Sequence, residues 1–181
     1  MRIGIVTISD RASRGIYEDL SGPAIAAWLE TAIRSPWIPD RRIIPDGVAP
    51  VRDTLIDLAD TAGAGLVFTT GGTGPALRDL TPEAMAMVIT REMPGFGEMM
   101  RRVSAETVPT AILSRQTAGI RGRCLIVNLP GKPAAIAVCL AAIFPAIPYC
   151  LDLMEAGRIE TDPAVVESFR PVPTKAGSPI P

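Results

Sequence analysis

Apolar residues along this chain fall into short unbroken runs separated by longer stretches of helical periodicity. Arg2 to Ile8 is a β-branched run ending in Ser9 and Asp10, the pattern of a buried strand that enters a polar loop. A long polar loop follows, and Gly22-Pro23 then opens a helix with Ile25, Trp28, Leu29 and Ile33 at helical spacing. Arg42 to Ile44 reads as a second strand that ends in Pro45-Asp46-Gly47. Pro50 then starts a helix with Val51, Leu55, Leu58 and Ala62 on one face, stopped by Gly63. Leu66-Val67-Phe68 is a wholly apolar third strand running into Thr69-Thr70-Gly71-Gly72-Thr73-Gly74, and Thr81-Pro82-Glu83 is expected to cap the next helix. A further helix covers Gly97 to about Val108. Cys124 to Val127 forms another buried strand, leading through Asn128-Leu129-Pro130-Gly131-Lys132-Pro133 into a last major helix.

Strands that alternate with helices make βαβ units, and right-handed crossovers then give a mostly parallel sheet covered on both faces. The expected fold class is α/β, a three-layer sandwich of the doubly wound type. Residues 1–168 make one domain on this reading, and the proline-rich segment 169–181 is expected to be an exposed extension. The uncharged stretch from Ala134 to Leu151 is long enough to raise the question of a membrane span. It carries Pro145 and Pro148, however, and reads as a buried helix followed by a turn.

Composition narrows the chemistry. Eighteen basic and nineteen acidic residues leave a formal charge of -1, so no broad basic face for nucleic acid is expected. Cys124, Cys139 and Cys150 lie among apolar neighbours with no close pair, as buried thiols in a reducing compartment would. The N-terminal apolar run is too short for an export signal, and a cytoplasmic location is expected. Histidine is absent. That removes mechanisms built on an imidazole base, a Ser-His pair or a Cys-His pair.

Ligands of open parallel sheets bind at the carboxyl ends of the strands. Four polar segments fall there: Ser9-Asp10-Arg11, Pro45-Asp46-Gly47, Gly71 to Asp79, and Asn128 to Pro133. The glycines of Gly71-Gly72-Thr73-Gly74 leave backbone amides open to an anion, while the bland reading of the same residues is a tight strand-to-helix connection. Neither standard nucleotide fingerprint is met. Leu77 stands where the dinucleotide motif needs a small residue, and Ile126 and Pro133 break a P-loop ending in Gly131-Lys132. Asp46 and Asp79 are suited to flank bound phosphates and offer magnesium hard oxygen ligands; each is equally suited to a turn or cap.

These segments together resemble the MogA and MoaB family of molybdenum-cofactor biosynthesis proteins. The resemblance rests on Ile8-Ser9-Asp10-Arg11-Ala12-Ser13, Ile44-Pro45-Asp46, and Thr69 to Gly74 with Arg78-Asp79 and Thr81-Pro82-Glu83-Ala84. It continues through Arg91 to Glu98, Ala111-Ile112-Leu113-Ser114-Arg115, Asn128 to Gly131 and Pro148-Tyr149-Cys150. It covers about residues 2 to 170 and implies a homotrimeric nucleotidyltransferase that moves adenylate from ATP to the phosphate of molybdopterin. Pyrophosphate is released, Mg2+ is required, and a molybdate-inserting protein lies downstream.

The family's two essential aspartates match Asp46 and Asp79, expected to be catalytic and to hold the metal. The substrate and ATP site is then expected to include Ser9, Asp10, Gly71, Gly72, Thr73, Gly74, Arg78, Ser114, Arg115, Pro130 and Gly131. A phosphate nucleophile is already ionised at neutral pH, so the missing histidines fit positioning and charge neutralisation as the means of catalysis. Two other functions stand beside this one: a non-catalytic molybdopterin carrier or scaffold, and a nucleotide pyrophosphatase of the related CinA type. The length of the chain argues against the second, and the presence of both aspartates argues against the first.

Overall fold

Successive side chains of a strand point to opposite faces, so a strand apolar at every position requires cover on both sides. The computed structural model, which describes residues 1–171, meets that requirement with one six-stranded sheet. Its strands are β1 (Arg2–Ile8), β2 (Ile38–Ile44), β3 (Leu66–Thr70), β4 (Arg91–Glu92), β5 (Ala118–Arg121) and β6 (Cys124–Leu129), in the order β2-β1-β3-β6-β5-β4. The first four in that order are parallel, and β5 and β4 add an antiparallel edge.

Ile3, Ile5, Leu66, Phe68, Leu125 and Val127 face one side. They pack on helices α2 (Ser21–Ala32), α5 (Pro94–Ala105), α6 (Pro133–Ile143) and α7 (Ile147–Leu153). Val6, Ile8, Val67, Cys124 and Ile126 face the other side, against α3 (Val48–Ile56) and α4 (Thr81–Val88). A short helix, α1 (Asp10–Ser13), follows β1 directly. Many of these side chains are fully buried, at about 1.5–3 kcal/mol for each large apolar group removed from water. Gly4 permits the close approach to the sheet of the π-helical turn Asp57–Thr61 that continues α3: a Cβ there would lie 3.0 Å from Val67 and 3.1 Å from Leu58.

The order of the strands fixes the site. From β1 the chain crosses to β2 on one side and then to β3 on the other, so the loops leaving β1 and β3 diverge at their carboxyl ends. That divergence opens the crevice in which doubly wound sheets bind ligands.

Several expectations change in detail. The polar loop after β1 contains α1, whose N-terminus is capped by Ser9 Oγ accepting from Ala12 N at 3.3 Å. The second strand begins at Ile38 rather than Arg42. Thr81 lies inside the first turn of α4 instead of capping it, and its hydroxyl donates to Gly71 O at 2.9 Å. The helix expected from Gly97 starts at Pro94, which takes a first-turn position.

The run Pro133–Leu153 is long and apolar enough to cross a membrane. In the fold it is α6 and α7 joined by a 3-10 turn at Phe144–Ala146, with Ile136, Leu140, Phe144, Ile147 and Leu151 in the core. The expected exposed extension is tied down where it begins: Phe169 N donates to Pro145 O at 3.0 Å and Arg170 pairs with Asp152. The rest of that extension, 172–181, lies outside the described residues.

Candidate active site

A cleft of about 300 Å3 opens where β1 and β3 end. The loop after β3 must turn back beneath the end of β1, and only glycine fits. Gly71 has φ +104°, and a Cβ on it would lie 2.3 Å from Ile8 O. Gly72 has φ +63°, and its Cβ would lie 2.4 Å from Thr81 Oγ1. Thr81 N in turn donates to Gly72 O at 3.1 Å, which seats the loop on α4. Thr70 Oγ1 donates to Pro130 O at 2.8 Å and joins the loop after β6 to the same floor.

Asp46, at the end of β2, is locked to the β1 loop by a reciprocal pair. Asp10 N donates to Asp46 Oδ2 at 3.0 Å, and Asp46 N donates to Asp10 Oδ1 at 3.2 Å. Asp79 accepts from Ala76 N at its Oδ2 at 3.1 Å. The second oxygen of Asp46 and of Asp79 accepts no protein hydrogen bond among the described residues, and both carboxylates line the cleft.

The structure brings Ser9, Asp10, Asp46, Gly71, Gly72, Arg78, Asp79 and Gly131 together on the lining. Thr73, Gly74, Ser114, Arg115 and Pro130 are not on that lining. Thr73 is buried, Ser114 Oγ donates to Gln116 Oε1 at 2.9 Å, and the carbonyls of Thr73, Gly74 and Pro130 are taken by protein donors. Arg115 reaches Glu83 with both terminal nitrogens, and this hydrogen bonding holds the Glu83 carboxyl below its usual range and raises the guanidinium.

Sequence reasoning missed a second rim. Asp19 accepts from Thr7 Oγ1 at 2.8 Å, Ser21 N at 2.9 Å and Gly22 N at 3.1 Å, so it caps α2 and ties it to β1. Ser21 Oγ then donates to Gly131 O at 2.8 Å. The signal was available in an aspartate two residues before Ser21-Gly22-Pro23, where a helix opens. Tyr17 also lines the cleft; its hydroxyl lies 2.9 Å from Ser9 Oγ, and the Arg11 guanidinium sits 5.0 Å above its ring.

The family model described as "Probable molybdopterin binding domain" matches residues 4–149, a span that contains every residue of this cleft. The chain belongs to that family. Within the molybdopterin-binding domain family, the molybdopterin adenylyltransferase of Haemophilus influenzae is 50% identical over 183 residues, spanning 94% of this chain and 93% of that one. The molybdopterin adenylyltransferase of Escherichia coli K12 is 49% identical, covering 94% of each chain. Among solved structures, the molybdopterin biosynthesis enzyme MoaB of Thermus thermophilus superposes with a TM-score of 0.80 at 39% identity, covering 88% of this chain and 99% of that one.

Proposed function

We propose that this chain is a molybdopterin adenylyltransferase, transferring AMP from ATP to the phosphate of molybdopterin. The observation that carries the reading is the pair Asp46 and Asp79. They stand in one cleft beside Gly71 and Gly72, each with one oxygen held by a backbone amide and the other uncommitted. Near-full-length identity of about half to two adenylyltransferases supports the same reading.

In the reaction a phosphate oxygen of molybdopterin attacks the α-phosphorus of ATP. The bond from that phosphorus to the oxygen bridging to the β-phosphate breaks, and pyrophosphate leaves with the bonding electrons. The nucleophile is ionised at neutral pH, so no side chain has to remove a proton. The protein's task is to align an anion with another anion in a cleft lined by five carboxylates, Asp10, Glu18, Asp19, Asp46 and Asp79, and two guanidiniums, Arg11 and Arg78. Such a lining repels a triphosphate unless a cation intervenes.

No cluster of three metal-ligating side chains occurs among the described residues. Two carboxylates are nevertheless the donor set with which magnesium is held when substrate phosphates and water complete its octahedron. Asp46 and Asp79 would hold it, and when bound it supplies neutralisation of phosphate charge. Arg78 grips phosphate oxygens, Gly71 and Gly72 let backbone approach them, and Tyr17 gives the rim a flat apolar surface suited to a heterocycle. A homotrimer and delivery of the product to a molybdate-inserting protein belong to the same reading; exposed Ile112, Leu113 and Val108 are apolar surface that assembly would cover.

The test is purified protein mixed with molybdopterin, ATP and Mg2+, following pyrophosphate and adenylylated pterin, with Asp79→Asn in parallel. Product formation that requires Mg2+ and falls at least 100-fold in the variant is expected, on the scale of losing one transition-state contact. Pterin binding without product from the wild-type protein would refute the enzyme.

A further inference from the structure

Arg115 lies 36 residues beyond Asp79 in the chain, on the segment leading into β5 and outside the cleft lining, yet all of its side-chain nitrogens are engaged. Nε donates to Gly74 O at 3.0 Å; Nη2 donates to Asp79 O and, at 3.2 Å, to Glu83 Oε2; Nη1 donates to Glu83 Oε1. Its backbone N adds a bond to Thr73 O at 2.7 Å. Gly74 and Asp79 are the two feet of an exposed arch, Gly74 to Asp79, and one guanidinium ties both. Glu83, on the first turn of α4, fixes the guanidinium in turn.

Inside the arch, Asp79 folds back so that its Oδ2 meets Ala76 N at 3.1 Å and would lie 2.7 Å from any Cβ at Gly74. The direction of the Asp79 carboxylate is thus set by the spacing of the two feet. A planar fork can bridge two carbonyls and a carboxylate at once; a lysine ammonium, a point donor, cannot keep that geometry.

We infer that Arg115 is a positioning residue, holding the Gly74 to Asp79 arch closed so that Asp79 presents its free oxygen to the cleft. This rests on the adenylyltransferase reading for its catalytic consequence but not for its structural one. It differs from a direct grip on substrate phosphate, because Arg115 lies outside the cleft lining and four of its five side-chain N–H groups are committed to Gly74, Asp79 and Glu83. It also differs from an ordinary surface ion pair, which would leave the reaction untouched.

A double-mutant cycle separates these roles. Arg115→Gln should lower kcat about 10- to 100-fold, the scale of a misplaced group, with the KM values for ATP and molybdopterin changing little. In the Asp79→Asn background the same change should cost no more than about 2-fold, because a residue acting through Asp79 has nothing left to act on. Arg115→Lys should recover only part of the loss.

Losses that multiply in the double variant would overturn the inference in favour of an independent contact, and a wild-type rate in Arg115→Gln would overturn it in favour of an inert pair. Amide hydrogen exchange without substrate keeps the question apart from the reaction itself: Arg115→Gln should speed exchange at Ala76 and Asp79 at least 10-fold while β1 and β3 keep their protection. Unchanged exchange at those amides would sink the proposal even if the enzyme is active; faster exchange would sustain the arch even if the wild-type protein forms no product.

Discussion

Replacing Gly71 by alanine tests whether the cleft depends on the glycine loop lying hard against β1. The new Cβ would sit 2.3 Å from Ile8 O, so the loop or the strand end must yield roughly 0.7 Å to reach even the shortest tolerable contact near 3.0 Å. The backbone at φ +104° adds strain of about 1–3 kcal/mol for a residue with a Cβ. β1 is buried and paired on both sides, so the loop is what moves, and it carries the lip of the cleft.

The expected result is a melting temperature lower by about 2–12 °C, from about 2–4 °C per kcal/mol for a chain of this size. Adenylyl transfer should fall about 10- to 100-fold, the effect of a sub-ångström to ångström misplacement. Gly122→Ala is the control. It has φ +55° but nothing within 4 Å of its Cβ, so it should share the strain and keep the activity. Thermal unfolding and pyrophosphate release measured on both variants decide the matter; Gly71→Ala with wild-type rate would show that the loop's seat on β1 does not shape the site.

Two further predictions concern the fold itself. Phe68, fully buried at the centre of β3, should cost about 3–5 kcal/mol when truncated to alanine, read from urea unfolding with an unchanged m-value; a cost below about 1 kcal/mol would mean that the sheet is not packed as described. Burial, with a smaller contribution from the Asp60 charge, pushes the Cys124 thiol up to about 12. Because the folded state holds that proton more tightly, its contribution to stability is full below the ordinary thiol range and is lost as pH rises from there towards 12. Cys124 should therefore resist a thiol reagent at pH 8 until the protein unfolds, with half-buried Cys150 labelled first; fast labelling of native Cys124 would contradict its place in the core.

Strands covered on both faces could be read directly, and those at the edges could not. β1, β3 and β6 are buried along almost their whole length and appear in the sequence as unbroken apolar runs. β2 is an edge strand with alternate exposure, and Pro39-Asp40-Arg41 hides its first half. β4 has two residues and β5 contains Gly119, so neither offers a pattern; they exist because the Gly122 turn, at φ +55°, folds β5 back onto β6 and β4 then extends the edge. Local propensity is too weak to announce strands made by their neighbours.

The same division runs through the cleft. Asp46 and Asp79 could be found because each follows a strand, and parallel strands deliver their carboxyl ends to one edge. Arg78 and Arg115 look equivalent as sequence, two arginines near the glycine loop. The fold separates them: Arg78 is exposed on the lining, while Arg115 is tied to Gly74, Asp79 and Glu83, which lie thirty-two to forty-one positions before it in the chain. No local pattern encodes a partner at that separation. Among the described residues, a cleft lined by five carboxylates therefore has only Arg11 and Arg78 on its lining to meet phosphate directly, and Arg11 is engaged with the Tyr17 ring. The remaining neutralisation falls to whatever cation Asp46 and Asp79 can share with the substrate, and so Mg2+ dependence and Asp79 should fail together.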